Sequence, residues 1–494
     1  MRARRTVAAL AAAVALLASG CGTRASEEEI QAGVGGGPVE LDQSALDQLR
    51  EAGAGTGGLP GAPAPAAGPA DAGTDAVPGT VPQPGSGTAP GTDSPGSSGT
   101  AGAPSTSAPA ASVGTGSTGG ACTKPGAPLH IGQVGSFSGV FGPLVGSART
   151  GFAVWVKHVN ASGGLACHPI VLHAADDGGD PSRGSALVGE MVTKYKVQAF
   201  VGMVSMALSG MVGAIERTKL PVIGGDVVSD PWFAHPQFFP QGGGLRAIVD
   251  GALRQAVGEG RTVHGLLYCV EVGVCGSVAK MVPERAKVAG AKLVYSSPVS
   301  LTQTDFTAQC QNAKNAGVQA FGMAVDGSAI ARVARSCAAL NYFPQFVTGG
   351  PVVSNEQAKD PGIRRNTMST ASANAPWFRT DTPGQREYAD ALKRYAPGFE
   401  VDGPSMLAWA AGKLFEATIE RLGDAARDAP VTTADIVTGL GRIKNETLDG
   451  LSPPITFTPG QKAAPDIPCV FFALDSEKGW TAPNSKYVCT KVDR

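Results

Sequence analysis

From about residue 128 onward, short apolar runs rich in β-branched residues alternate with longer segments whose apolar positions recur every three or four residues. Short runs of this kind are typical of buried strands, and the longer period is typical of amphipathic helices. Regular alternation of the two favours an α/β fold with parallel sheets covered by helices. The pattern predicts strands at Leu129–Val134, Pro169–Ala174, Gln198–Gly202, Leu220–Gly224, Val263–Val270, Lys292–Ser296, Val318–Val325 and Gln345–Thr348.

The first strand-helix unit shows the pattern most clearly. A loop at 135–139 follows the strand Leu129–Val134, and a helix is predicted after it. Gly163 and Gly164 are expected to end that helix, because glycine adopts the left-handed conformation common at helix ends. The face of the predicted helix that turns toward the sheet consists of Phe152, Trp155, Val156 and Val159.

The length and charge of this part of the chain limit what it can be. A segment running from about residue 128 to 494 is longer than one ordinary core and fits two lobes. The formal net charge of the whole chain is −1, and no basic stretch occurs. Nucleic acid is therefore not expected as a partner.

Residues 53–120 differ sharply in composition from the rest. They are almost entirely Gly, Ala, Pro, Ser and Thr, with few large apolar side chains. Such a segment cannot bury enough surface to offset the entropy of ordering it. We therefore predict that 21–127 forms a flexible tether, whose typical span for about 100 residues is about 50–60 Å.

The amino terminus is typical of an export signal. Arginines at positions 2, 4 and 5 precede an apolar run, Val7–Ala18, which ends in small residues before Cys21. The run is too short for a transmembrane anchor. Residues 1–20 are thus predicted to be a signal peptide. The segment Leu17–Cys21 resembles a bacterial lipobox, with Ala18 in place of the usual leucine, so we expect Cys21 to carry the lipid; simple secretion is the alternative.

The cysteines favour an oxidising compartment. Without Cys21, eight of the nine remain, an even number that favours four disulfides in an exported domain. Connectivity cannot be read from the sequence, and nearest-neighbour order gives one arrangement. No pair has the spacing of a zinc site, and no metal or cofactor is expected. The suggested pairs are Cys122 with Cys167, Cys269 with Cys275, Cys310 with Cys337, and Cys469 with Cys489.

A collinear series of motifs resembles the branched-chain amino acid (leucine/isoleucine/valine) binding protein family of ABC transporters, which has the type I periplasmic-binding fold. Each motif is weak alone, and their order over most of the folded part carries the resemblance. The motifs are Ile131-Gly132, Ser138–Gly142, Val159–Gly164, Ala175–Asp177 with Asp180-Pro181, Phe200–Gly202, Leu220–Ile223, Thr304–Thr307 and Ile455–Phe457.

The resemblance implies two Rossmann-like lobes joined by a hinge that the chain crosses three times. Lobe one would comprise 128–243 and 351–440, and lobe two 244–350 and 441–494. A monomer would close on a small ligand, an amino acid or a related amide or carboxylate, and present it to the permease subunits of an ABC importer. Closure requires that the ligand bind the closed state better.

Four candidate ligand contacts lie on lobe one. Ser136, Ser138 and Phe141 belong to the first loop, where hydroxyls and an aromatic ring could hold a polar head and an apolar body. Their alternative role is a serine turn with a packed aromatic. The family places a carboxylate-binding serine after the strand ending at Gly202, and Ser205 stands one position earlier than that serine.

Three further candidates are acidic or lie in the second lobe. Asp226 could pair with an amine, and Asp326 aligns with the acidic residue that holds the ligand ammonium in the family. Helix capping is the alternative role of each. Val272 stands where the family often has a tyrosine, inside the small ring that a Cys269–Cys275 disulfide would close.

Two other functional classes are less well supported. No nucleophile elbow or metalloprotease motif occurs, and the histidines lack ligand spacing, so catalysis is not expected. A tethered sensor of the same fold would bind solute in the same way and pass the signal to another protein, and the long tether is compatible with it.

Replacing Cys21 by alanine should abolish membrane attachment, because the proposed lipid acceptor is lost. Fractionation and mass spectrometry of the processed protein check this expectation: the parent should be lipidated and found with membranes. Cleavage and fractionation of Cys21→Ala identical to those of the parent would leave secretion without lipidation.

Overall fold

The computed structural model of the protein describes residue 122 and residues 125–354, 357, 359–476 and 479–490. The predicted signal peptide, Cys21 and nearly all of the predicted tether lie outside the described residues. All described residues belong to one unit, 109–494. Within them, no helix combines the length and apolar character needed to cross a membrane.

The first sheet has five parallel strands in the order β2-β1-β3-β4-β5. Leu129 of β1 pairs with Ile170 of β2, and Ile131 pairs with Ala199 of β3. Alternation of strand and helix forces each strand to restart at the same end, which makes the sheet parallel. Its strands are β1 Leu129–Gly135, β2 Ile170–Asp176, β3 Ala199–Met203, β4 Val222–Gly225 and β5 Phe238–Phe239.

Helices cover both faces of this sheet. The helix predicted from the first apolar face is present as α2, in which Phe152, Trp155, Val156 and Val159 are buried. Gly163 and Gly164 follow it with φ of +98° and +84°, as expected for a helix end. The helices of this lobe are α1 Gly142–Val145, α2 Ser147–Ala161, α3 Pro181–Thr193 and α4 Leu208–Thr218.

The second sheet has eight strands, seven of them in the order β12-β11-β10-β9-β8-β6-β7, with β13 paired to β11. Strands β6 to β10 are parallel, and β11 runs antiparallel to β10, β12 and β13. The strands are β6 Val263–Cys269, β7 Lys292–Val299, β8 Ala320–Ala324, β9 Gln345–Gly349, β10 Met368–Ser372, β11 Cys469–Ser476, β12 Gly479–Thr481 and β13 Val488–Cys489.

The remaining described helices divide between the lobes. The helices α5 to α9 contact strands or helices of the second sheet, whereas α10, α11 and α13 pack with the first. They are α5 Leu245–Gly258, α6 Gly273–Ala289, α7 Thr307–Asn315, α8 Gly327–Ala339, α9 Pro361–Asn366, α10 Pro383–Tyr395, α11 Gly403–Glu420, α12 Ala425–Asp428 and α13 Thr433–Gly441.

The chain crosses between the lobes three times in the described residues, as the resemblance implied: before α5, after β10 and before β11. Two boundaries differ from the expectation. β10 lies in the second sheet, although 351–440 was assigned to lobe one, because its backbone pairs with β9 and β11. The turn Leu448–Gly450 packs on α10 and α11 of lobe one, although 441–494 was assigned to lobe two.

Two buried amide side chains join the three crossing segments. Nδ2 of Asn374, just after β10, donates to the carbonyl of Gln241 at 3.1 Å and to that of Leu451 at 3.2 Å. The Gln241 side chain bonds both backbone groups of Gly225. Its Oε1 accepts from the Gly225 amide at 3.0 Å, and its Nε2 donates to the Gly225 carbonyl at 2.8 Å. Its Nε2 also donates to the carbonyl of Leu407 on α11 at 3.2 Å. We call Gln241, Asn374 and Leu451 the hinge clasp.

The eight strands predicted from the hydrophobic pattern are all present, with ends within three residues of those expected. The four suggested disulfides are confirmed: Cys122–Cys167, Cys269–Cys275, Cys310–Cys337 and Cys469–Cys489. The first joins the end of the predicted tether to lobe one, and the other three lie within lobe two.

Removing two of these bridges should destabilise the domain to different extents. Cys310 and Cys337 are 27 residues apart, and Cys269 and Cys275 only 6. Removing the first bridge therefore raises the conformational entropy of the unfolded chain by more than removing the second. Chain-entropy arguments give about 3.5 kcal/mol for the first double alanine variant and about 2 kcal/mol for the second. Urea unfolding of the two matched variants measures the difference, and alkylatable thiols in the native domain would contradict the pairing itself.

Candidate ligand-binding site

A cavity lies where the carboxyl ends of the two sheets face each other. Its empty volume is about 1210 Å³, which includes space open to solvent. Lobe one contributes residues from the loops after its strands and from the beginning of α11, and lobe two contributes α5, α6 and the ends of β6, β8 and β9. The lobe-one lining consists of Leu144, Val145, Val204, Met206, Asp226, Val228 and Leu407.

The lining is predominantly aliphatic and includes no lysine or arginine among the described residues. Two of its polar side chains already have partners. Thr348 Oγ1 donates to the carbonyl of Met323 at 2.8 Å, and His264 Nε2 donates to that of Arg261 at 2.8 Å. Burial lowers the pKa of His264, which favours the neutral ring. The acidic side chains Asp226 and Asp326 are therefore the main polar features of the wall.

The predicted serines Ser136 and Ser205 do not line the cavity, because both bind a carboxylate of the protein itself. Ser136 Oγ donates to Asp177 Oδ1 at 2.7 Å, and Ser205 Oγ donates to Asp177 Oδ2 at 2.6 Å. Ser136 Oγ also accepts from the amide of Met206 at 3.0 Å, and Ser205 Oγ from that of Ala207 at 3.0 Å. Both side chains are fully buried. Their hydroxyls fix the loops, and neither has a proton left to donate to a ligand.

The other two candidates of the first loop also lie outside the cavity lining. Phe141 is buried against Gly179, where a Cβ would collide with its ring. Ser138 is exposed, and its amide donates to Asp176 Oδ1 at 3.3 Å. The structure therefore shows the turn and the packed aromatic that were the alternative roles of this loop.

Asp226 lines the cavity, but its two oxygens already have protein partners. Oδ1 accepts from Trp232 Nε1 at 2.6 Å and from the amides of Val228 and Ser229 at 3.2 Å, and Oδ2 accepts from Ser229 Oγ at 3.1 Å. Burial raises the pKa of this carboxyl to about 6, although the hydrogen bonds oppose the rise. Asp226 therefore holds the turn after β4 together.

Asp326 lies at the end of β8 and caps α8 with one oxygen. Its Oδ1 accepts from the amides of Ser328 at 2.7 Å and Ala329 at 2.9 Å, and from Ser328 Oγ at 2.6 Å. Among the described contacts, no protein group is bonded to Oδ2. The capping role is thus present, and the second oxygen remains able to accept a hydrogen bond at the cavity wall.

Val272 also lines the cavity, at the amino end of α6. It occupies the N-cap position, where its side chain cannot accept a hydrogen bond, so the first amides of the helix lack a side-chain cap. The Cys269–Cys275 bridge closes the ring around it. Glu271 faces elsewhere, because its carboxylate accepts from Ser300 Oγ at 2.6 Å and from the amide of Leu301 at 2.9 Å.

A large part of the cavity wall was not predicted from the sequence. This part consists of two helix faces whose apolar residues recur every four positions. That spacing is the same for a face packed on a core and for one that lines a cavity. No sequence signal distinguishes the two cases. The residues are Leu245, Val249 and Leu253 of α5 and Val274, Val278 and Val282 of α6.

The chain resembles known binding proteins in sequence and structure. Residues 128–476 match the profile of the periplasmic binding protein family. The sequence is 23% identical over 350 residues to Leu/Ile/Val-binding protein homolog 3 of Brucella melitensis biotype 1, which covers 66% of this chain and 90% of that protein.

Two solved structures share the fold. A branched chain amino acid ABC transporter protein from Thermus thermophilus with bound valine has a TM-score of 0.62 and 13% identity, covering 74% of this chain and 97% of that one. A fatty acid ABC transporter substrate-binding protein from Thermomonospora curvata has a TM-score of 0.61 and 17% identity, covering 74% and 95%. At these identities the likeness establishes the fold.

Replacing Asp226 by asparagine should alter the pH dependence of stability. The pKa of Asp226 rises from 3.8 to about 6 on folding, so the folded state binds the proton more tightly in that interval. The free energy of unfolding should therefore fall by about 3 kcal/mol as the pH rises through the interval, and the variant should lack this contribution. Asparagine keeps an oxygen for Trp232 and the two amides. Urea unfolding above and below the interval measures the effect; parallel pH profiles of both proteins would contradict it.

Proposed function

The chain belongs to the periplasmic binding protein family, and we propose that it captures a small amphiphilic solute in the interlobe cavity for delivery to an ABC importer. The polar end of that solute would be an amino acid group or a primary amide. The observation that carries this proposal is a largely aliphatic cavity with a carboxylate oxygen at its wall, Asp326 Oδ2, that no described protein group bonds.

The polar end needs both a hydrogen-bond donor and an acceptor. A donor on the ligand would satisfy Asp326 Oδ2, and an acceptor would suit the amides at the start of α6, which Val272 leaves without a side-chain cap. Neither Ser205, the candidate for the family's carboxylate-binding serine, nor Ser136 of the first loop can donate to this end, because both hydroxyls donate to Asp177. The recognition of the polar end is therefore assigned mainly to lobe two.

Closure would couple this recognition to transport. The cavity is lined by residues of both lobes, among them Met206 and Leu407 of lobe one and Val272 of lobe two. A ligand touching both walls gains apolar contacts only when the lobes approach, so it favours the closed state. We propose that the closed domain, acting as a monomer, is the form that the permease subunits bind.

Family membership indicates an extracytoplasmic location, and the disulfides agree with it. We further propose that Cys21 carries the lipid anchor and that the segment up to residue 127 tethers the domain to the cell membrane. The relatives named above are binding proteins, and we propose no catalytic role.

Asparagine and alanine at position 326 should separate ligand binding from helix capping. Asp326→Asn keeps an oxygen for the cap but removes the charge. It should therefore raise the Kd of the tightest-binding amine or amide by roughly 30-fold or more. Asp326→Ala should show the same loss and also lower the free energy of unfolding by about 1 kcal/mol, because the cap is lost. A thermal-shift screen of amino acids, amides and carboxylates identifies the probe, and calorimetric titration gives the Kd.

Asp180 provides the matched control. Its Oδ1 caps α3 by accepting from the amides of Ser182 at 2.7 Å and Arg183 at 2.8 Å, and it lies outside the cavity lining. Asp180→Asn and Asp180→Ala should change stability in the same way without changing Kd. An unchanged Kd for Asp326→Asn would leave Asp326 as a helix cap only.

A further inference from the structure

The cavity continues from the cleft into lobe two, between the sheet and the helices α5 and α6. Its lining includes Leu253, Leu266 and Val282, which belong to the core cluster on that face of the sheet. Gly322 and Ala324 of β8 form its floor beside Leu266 and Tyr268, their partners on β6. We call this inner part the lobe-two channel.

The small side chains on β8 leave this space unfilled. Gly322 and Ala324 lie on a central strand covered by helices, yet both remain partly accessible. A Cβ on Gly322 would have the carbonyl of Gly265 and Cδ1 of Leu266 as its nearest neighbours, both at 3.2 Å and both from the sheet. No atom from a covering helix is among the three nearest to that position.

Lobe one shows the usual solution to the same problem. At Gly132 of β1, a glycine on a central strand of the first sheet, the space is filled from α3, since Met191 Sδ lies 2.7 Å from the Cβ position. In contrast, α6 buries only Cys275, Val282 and Ala286 of its 17 residues, and Val274 and Val278 stay half-buried. Protein interiors are normally close-packed, so an open apolar space of this kind indicates a ligand site.

The channel has a definite length. Leu245, Val249 and Leu253 line it from α5, and Val274, Val278 and Val282 line it from α6. The first and last residues of each row are eight positions apart, which corresponds to about 12 Å at the helical rise of 1.5 Å per residue. A branched-chain amino acid side chain is much shorter than that. The channel instead fits an extended, unbranched hydrocarbon chain.

We propose that the lobe-two channel holds the alkyl chain of the ligand, so that the solute is a medium-chain amphiphile with its polar end at Asp326. This inference rests on the proposed function for the polar end and on the packing of lobe two for the chain. Chain burial would then supply most of the affinity, and the polar end would set the orientation.

A homologous series of ligands tests the channel. Calorimetric titration of the mature protein with butanamide, hexanamide, octanamide and dodecanamide should show Kd falling about fourfold per methylene, the equivalent of about 0.8 kcal/mol, until the channel is full. The sodium carboxylates of the same chain lengths form a parallel series. An equal slope with carboxylates, together with no binding of amides, would keep the channel and reject the polar group of the proposed function. Binding of butanamide without any gain for longer chains would overturn the channel and keep the proposed function.

The longest alkyl chain that still gains affinity should change in opposite directions in two variants. Val278→Phe fills the channel and should weaken dodecanamide by about tenfold or more while leaving butanamide nearly unchanged. Val282→Ala lengthens the channel and should shift the tightest binding to a longer chain. Lys280→Phe adds the same ring to an exposed position of α6 and should leave that chain length unchanged. If Val278→Phe fails to fold, the test rests on Val282→Ala alone. The proposal would be overturned if the chain length of the tightest-binding amide were the same for Val282→Ala as for the parent.

Discussion

Two buried amides determine how the lobes can move relative to each other. Asn374 and Gln241 join the crossing segments to one another and to Gly225 and Leu407 of lobe one. Their groups are buried, so each lost bond would leave an unsatisfied polar atom at a cost of about 1–3 kcal/mol. We therefore expect the clasp to stay intact if the lobes open and close, with the motion confined to the backbone beside it. Every ligand contact proposed above would depend on this axis.

The hydrophobic pattern predicted most strands whose residues are themselves strand formers, although it missed β11, which has the sequence CVFFALDS. The run Phe200–Gly202 is apolar throughout, and the strand there was predicted from that property. β10 has the sequence MSTAS, which is small and polar, and it was missed. Its extended conformation comes from partners on both sides, β9 and β11, which lie far apart in the chain. Such strands depend on tertiary contacts and cannot be recognised locally.

The candidate site was less predictable because its chemistry depends on pairings across the fold. A serine after a strand has the same local sequence whether its hydroxyl meets a ligand or, as in Ser136, the carboxylate of a residue 41 positions away. Asp326 was predicted to hold the ligand ammonium, with helix capping as its alternative role; the structure shows the cap, and the ligand contact stays a prediction. The cavity itself results from missing side-chain volume at Gly322 and Ala324, and an absence of atoms has no signature in the sequence.

The Cys122–Cys167 bridge determines where a mechanical load enters the domain. Cys167 lies between α2 and β2, so any pull along the preceding chain reaches the first sheet through a covalent bond. Among the described residues, no disulfide joins the two lobes, so the covalent links between them are the three crossings. Drag or tension on the proposed tether would thus move the domain as a whole, without doing work on the angle between the lobes. The free energy of ligand capture would then be the same whether the tether is slack or taut.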